Sequence, residues 1–206
     1  MFVFDVETLG KESNSVILSM AAIYFNPDEQ PDHKKLFDEA FFVKFDVEDQ
    51  MKRLDRKVGK STMAWWAKQC DNVKNKSFRP NPAIDVKFED GYEAMRKWAA
   101  SKNDQNCYVW ARGNLDQLVL DSFEEQLGLE PIWPYARWRD VRTAVDFLYG
   151  VTTGYTLVET PPWLDKFDKE IHITKHNPID DCVLDAMMLM YGKPNEPRRE
   201  DSTGMA

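Results

Sequence analysis

The sequence predicts an α/β fold with a mixed central sheet, antiparallel over its first three strands, then parallel, and flanked by helices. Two patterns carry this. Three runs rich in apolar, β-branched and aromatic residues come early and close together, as strands of an antiparallel meander do. After about residue 60, segments with a helical apolar stripe alternate with short apolar runs, the order of an α/β domain.

The first strand is expected over residues 2–5 (FVFD), closed by the turn signal from Gly10 to Asn14. The second runs from Val16 to Phe25 and stops at Asn26-Pro27, and the third is Phe41 to Phe45. A helix from Ser61 to Gln69 opens on a Ser cap and carries Trp65 and Trp66. Residues 71–88 are polar, contain Pro80 and Pro82, and read as loop. From Asp90 to Ser101, Tyr92, Met95, Trp98 and Ala99 share one helical stripe. Cys107 to Ala111 is a strand. The helix from Leu115 to Leu127 turns Leu115, Leu118, Val119, Phe123 and Leu127 inward and ends at Gly128, a C-terminal cap. A short strand and a helix follow over 138–149, while 150–175, broken by Gly154, Pro161 and Pro162, receives no element. In the final helix Asn177 is the cap, Pro178 suits the first position, and Ile179, Val183, Ala186, Met187 and Met190 form the core stripe. One domain is expected over residues 1–192, with 193–206 as a frayed tail.

Composition narrows the function. The 206 residues hold 27 Lys and Arg against 35 Asp and Glu, a net charge of −8. A protein that coats duplex DNA through many phosphate contacts is usually basic, so this chain suits contact with a short stretch of nucleic acid at most. Cys70, Cys107 and Cys182 match no metal-binding spacing and suggest a reducing compartment. No apolar run approaches the roughly 20 residues of a membrane span, and the N-terminus lacks a secretory pattern. The expectation is a soluble, cytoplasmic protein.

Five residues could carry chemistry. Asp5 and Glu7 lie two apart near the end of the first strand, so their carboxylates leave from the same face. Thr8, Leu9 and Gly10 follow, the glycine permitting close backbone approach to a ligand. Asp116 opens a helix just after the strand at 107–111, and His176 and Asp181 frame the start of the last helix. Each has a plainer explanation, a solvated strand end for the first pair and the helix dipole for Asp116 and Asp181. Asp180 is as good a dipole partner as Asp181. The set has a chemical logic that the members lack singly. Hard divalent cations take oxygen ligands, two such ions about 3.5–4 Å apart can serve the attacking and leaving oxygens of a phosphodiester, and a nearby imidazole can accept the water's proton.

The order D-x-E in the first strand, a lone Asp after a later strand and H-x4-D entering the last helix resembles the DEDDh exonuclease superfamily, which has a ribonuclease H-like fold. Asp5 and Glu7 (FDVET) match the first motif, Asp116 (WARGNLDQLVL) the second, His176 and Asp181 (HNPIDDC) the third. STMAWW, WARG, RDVRT and HNPIDDC make the chain most similar to exonuclease A of the T-even bacteriophages and related small exoribonucleases. The sequence departs from the superfamily at Asn114-Leu115, before the second Asp, and at Cys182, after the last.

The resemblance implies a 3′–5′ exonuclease that releases nucleoside 5′-monophosphates from single-stranded DNA or RNA 3′ ends with two Mg²⁺ or Mn²⁺ ions. It places Asp5 between the metals, Glu7 and Asp181 beside it, Asp116 behind a water, and His176 as general base. It makes Thr8, Leu9 and Gly10 a clamp on the terminal nucleotide, with Leu9 as a base wedge. Trp66, Arg112 and Asn114 are further substrate-binding candidates. Trp65 and Trp66 also read as core, Arg112 equally as an ion-pair partner, and Arg137, Arg139 and Arg142 as phosphate ligands or structural pairs. Lys52, Arg53, Arg56, Lys57 and Lys60 read as a solvated face. Relatives of this type can be homodimers. A non-catalytic nucleic-acid or protein adaptor with the same fold is the alternative, and an endonuclease a third reading.

Overall fold

A computed structural model of the chain describes residues 1–29, 31–102, 107–155 and 174–191. The expectations for 156–173 and for the tail at 193–206 lie outside the described residues. Five strands, β1 (Phe2–Thr8), β2 (Ile17–Tyr24), β3 (Phe41–Lys44), β4 (Val109–Ala111) and β5 (Trp138–Asp140), form one sheet in the order β3-β2-β1-β4-β5. β1 to β3 pair antiparallel, and β4 and β5 join β1 in parallel. The mixed sheet has the predicted order of pairings.

Alternation along β1 splits the fold into two layers. Phe2, Phe4 and Val6 face α5 (Phe88–Ser101) and α6 (Leu115–Leu127), packing with Phe88, Tyr92, Met95, Val119 and Phe123. Val3 faces the other way, with Ala21 and Ile23 of β2, against Val141 and Val145 of α7 (Val141–Tyr149) and Cys182, Val183, Ala186 and Met187 of α8 (Pro178–Tyr191). Complete burial of a side chain such as Phe4 contributes about 1.5–3 kcal/mol, so β1 is clamped from both sides. Asp5 and Glu7 belong by parity to the α8 face.

The α6 stripe matches the expectation at Val119 and Phe123, which are buried, and at Leu115 and Leu127, which pack against the core, but not at Leu118. Leu118 is 46% exposed, whereas Leu120 is buried beside Val119 and Phe123. Among the described residues, α1 (His33–Asp38), α2 (Val47–Arg53), a short helix α4 (Asp71–Val73) that runs into a π turn at Lys74–Phe78 within the predicted loop, and a 3-10 turn at Tyr135–Arg137 were not expected. Asp32 and Asp46 cap α1 and α2 through their side chains. Gln50 is the buried residue of α2; its amide donates to Ile17 O at 2.7 Å and accepts from Ile17 N at 2.9 Å. The third helix, α3 (Lys60–Ala67), covers a smaller core of Leu9, Val16, Leu18, Trp66 and Val73.

Arg56 is not on a solvated face. Its guanidinium lies 3.6 Å from the Phe123 ring centroid and donates to Ser13 O, Ser15 O, Ser122 Oγ and Gln126 Oε1. Burial pushes its pKa down to about 10. All three cysteines are free thiols, and no helix among the described residues is long and apolar enough to cross a membrane.

Candidate active site

The two acids of β1 stand opposite small residues of β2. Asp5 pairs with Ala21 and Glu7 with Ser19, which leaves space beside both carboxylates. The β1–β2 register shifts between Glu7 and Thr8, and the strand ends at Thr8, one residue after the second acid, where the turn to Gly10 begins.

Asp116 is the second residue of α6 and is buried. Gly113 makes the turn from β4 at φ +88°, a conformation that suits glycine, and its N–H donates to Asp140 Oδ1 at 2.9 Å. Asp140 also caps α7 through the N–H groups of Arg142 and Thr143, so one carboxylate fixes the starts of two elements.

The third group is set by a division of labour that the sequence left open. Asp180 Oδ2 accepts from Thr174 N at 3.0 Å and Asn177 Nδ2 at 2.7 Å, and the residue is buried. It closes the turn before α8. Asp181 Oδ2 accepts from the His176 backbone N–H at 2.8 Å and lines the cavity. His176 holds φ +66°, a left-handed conformation that His adopts more readily than most residues. Its ring meets Trp65 edge to face at 4.7 Å between centroids.

Asp5, Glu7, Asp116, His176 and Asp181 thus line one cavity of about 300 Å³. A fifth carboxylate that the sequence reading missed, Asp185, lines it too. It sits one turn beyond Asp181, and that i,i+4 spacing was the signal available. Arg112 forms an ion pair with Asp185, donates to Gly154 O and lies 4.2 Å from the Tyr155 ring centroid.

Burial and crowding disfavour ionisation throughout. Burial, and then the neighbouring Asp116, Glu7 and Asp181, raise the Asp5 pKa well above the usual carboxylate range. Glu7 is raised likewise by burial, Asp181 and Asp116. Burial lifts Asp116 to about 8 and Asp181 to about 7, against hydrogen bonds from Val6 and His176 respectively. His176 is pushed down by burial and by Lys175, which favours its neutral form.

These residues fit hard divalent cations. Asp5 Oδ2 is buried and has no hydrogen-bond partner among the described residues, and one ligand atom each from Glu7, His176 and Asp181 lie within 4.8 Å of one another. Buried carboxylates in such number require protons or cations, and the donor set is predominantly oxygen.

The substrate-binding candidates divide. A second cavity of about 430 Å³ adjoins the first and is lined by Thr8, Gly10, Ser61, Thr62 and Trp65, among others. Thr8 Oγ1 donates to Gly10 O at 2.7 Å, and Leu9 O accepts from Gly59 N at 2.6 Å. A Cβ on Gly10 would meet Ser15 Oγ at 2.2 Å and Ser15 Cβ at 3.0 Å, so a larger residue in that turn would have to displace the buried Ser15 side chain. Leu9 is not a free wedge, because its side chain is buried against Val16, Leu18 and Trp66. Trp66 borders the cavity but is 0% exposed; it stacks on Phe78 and donates from Nε1 to Thr8 O at 2.9 Å, so it braces the turn. The exposed indole is Trp65, at 39%. Arg112 is committed to Asp185 and Gly154, which favours the ion-pair reading of this residue over the substrate-binding one. Asn114 is exposed at the mouth of the first cavity.

Comparison with known proteins relates the chain to nucleases. The 3′-5′ exoribonuclease Rv2179c-like domain family matches residues 1–191. The exodeoxyribonuclease of Enterobacteria phage T4 is 28% identical over 210 residues, covering 92% of this chain and 87% of the phage protein. The nuclease domain of 3′hExo, a DEDDh family member whose structure was determined bound to rAMP, shares the fold with a TM-score of 0.57 at 13% identity, over 95% of each chain. The chain belongs to the Rv2179c-like 3′-5′ exoribonuclease domain family and is a 3′–5′ exonuclease.

Proposed function

We propose that the enzyme removes nucleoside 5′-monophosphates one at a time from single-stranded DNA or RNA 3′ ends by divalent-metal-dependent hydrolysis, with His176 as general base. The observation that carries this reading is the convergence of Asp5, Glu7, Asp116 and Asp181, from three separate elements, on one cavity beside His176. Asp5, Glu7 and Asp181 would hold two Mg²⁺ or Mn²⁺ ions, with Asp116 in contact through water. Such a pair supplies positive charge to the attacking and leaving oxygens and acidifies the attacking water.

The chain's own residues do the rest. His176, favoured in its neutral form, takes the proton from the attacking water. Asp181 and Trp65 hold it, the first through its backbone N–H and the second against its ring. The Thr8–Gly10 turn and the exposed Trp65 flank the cavity that would take the terminal nucleotide, Trp65 offering a stacking face and Gly10 close backbone approach.

Isothermal titration with Mn²⁺, paired with digestion of matched DNA and RNA oligonucleotides, tests the proposal. The expectation is two cations per chain for the wild type, weakened binding for Asp5→Asn, and mononucleotide products. A chain that binds no Mn²⁺ and leaves both substrates intact would be the adaptor instead.

A further inference from the structure

The catalytic cavity continues past its carboxylates in two directions. Towards α3, Val6, Glu7 and Leu115 are shared with the Trp65 cavity. Towards β5, Gly113, Asn114 and Arg142 are shared with a hollow of about 480 Å³, whose further walls include Gln117, Trp138 and Arg139. One groove therefore crosses the active site, and its two arms differ in character.

The α3 arm carries aromatic surface and one base, Lys11, beside Glu7. The β5 arm carries two exposed arginines, Arg139 and Arg142. Asp140 is the acid among its walls, and the N–H groups of Gly113, Arg142 and Thr143 and the Thr143 hydroxyl already engage it. Both arginines are placed by their surroundings. The Arg142 stem packs over Gly154, where a Cβ would come within 2.7 Å of Arg142 Cγ. Its guanidinium reaches over Gly113, at the junction of hollow and catalytic cavity; Cζ is 3.9 Å from where a Gly113 Cβ would lie. The Arg139 guanidinium lies 4.1 Å from the Tyr108 ring centroid and commits Nη1 to Ala136 O and Trp138 O. A guanidinium so held keeps further N–H donors in a fixed fork suited to phosphate oxygens.

We propose that the β5 arm binds the sugar–phosphate backbone upstream of the scissile bond, Arg142 taking the nearer phosphate and Arg139 the next. The terminal nucleotide then occupies the α3 arm, and the rest of the strand leaves over the edge of β5. This rests on the exonuclease reading above. It also explains how a chain of net charge −8 can hold a polyanion, since the attraction is concentrated along one arm.

The test compares kcat/KM for a single-stranded decamer with that for the p-nitrophenyl ester of thymidine 5′-monophosphate, which has no upstream phosphates. The enzymes are the wild type, Arg139→Gln and Arg142→Gln with Mn²⁺, over a range of salt. The decamer-to-ester ratio should fall about 10-fold in each variant, the size of one lost charged hydrogen bond. The salt dependence of decamer turnover should become shallower by about 0.7 in log–log slope, the value for one single-strand phosphate. Arg139→Lys and Arg142→Lys should keep that slope while losing part of the ratio, and they carry the test if a Gln variant does not fold. An active wild type whose variants keep both ratio and slope would overturn the upstream site alone. A wild type inactive on decamer and ester alike would overturn the nuclease reading beneath it.

Discussion

His176 and Asp181 are joined main chain to side chain: the His176 N–H donates to Asp181 Oδ2 at 2.8 Å while the histidine stands at φ +66°. A left-handed non-glycine residue costs of order 1–3 kcal/mol and persists only where its surroundings hold it. The same carboxylate that faces the acidic cavity therefore also fixes the imidazole.

Asp180→Ala and Asp181→Ala should separate stability from activity. Asp180→Ala strands Thr174 N and the Asn177 amide, at about 1–3 kcal/mol, and should lower Tm by several degrees. Asp181→Ala removes a crowded buried charge but also strands the His176 N–H, and because these effects oppose each other Tm in EDTA at pH 8 should change less than in Asp180→Ala. The turnover of Asp181→Ala should drop about 100-fold or more. Thermal melts and initial rates on one oligonucleotide read both.

The metal-free protein should lose stability as pH rises. Asp116 at about 8 and Asp181 at about 7 lie above the ordinary aspartate value of about 3.9, so the folded state holds protons that the unfolded state has released. Their contribution is complete below about pH 4 and declines as pH rises through 7 and 8, by an amount on the order of a few kcal/mol. Melts in EDTA from pH 5 to 8.5 should show falling Tm, and added Mg²⁺ or Mn²⁺ should raise Tm most at the alkaline end. A flat or rising profile in EDTA speaks against the buried acidic cluster.

The adjacent tryptophans should behave oppositely. Trp66→Phe leaves the buried Thr8 carbonyl without its indole donor and should cost about 1–3 kcal/mol of stability. Trp65→Ala removes a partly exposed ring and should leave Tm within a few degrees. It should raise KM by about 10-fold, as loss of one stacking contact does.

How far the sequence could be read follows from these cases. Strands β1 to β3 and helices α5, α6 and α8 carry strong apolar patterns, so their kinds and rough bounds were legible. Helices α1 and α2 each bury few residues, Gln50 alone in α2, so no stripe announces them. The candidate acids were legible as a set because D-x-E, the lone Asp and H-x4-D are fixed by spacing. Side-chain direction was not. Trp66 rather than Trp65 turning inward, Leu9 entering the small core, and Arg56 lying over Phe123 depend on neighbours distant in the chain. Asp185 escaped notice because an acid on a helix next to the final motif has an ordinary explanation until Arg112 is seen against it.

His176→Ala should lower kcat by about 10²–10⁴-fold with little change in KM, the usual range for loss of a general base. Steady-state kinetics with Mg²⁺ decides it. Turnover close to wild type would eliminate this role for the imidazole.

Nucleotide-resolved digestion of single strands labelled at either the 5′ or the 3′ end, with Mn²⁺ or with EDTA, bears most directly on the whole account. With Mn²⁺, the 5′-labelled strand should shorten stepwise from its 3′ end and the 3′ label should appear at once as a nucleoside 5′-monophosphate, while EDTA or Asp5→Asn should abolish both. Internal fragments in the earliest samples, or undiminished digestion in EDTA, would contradict it.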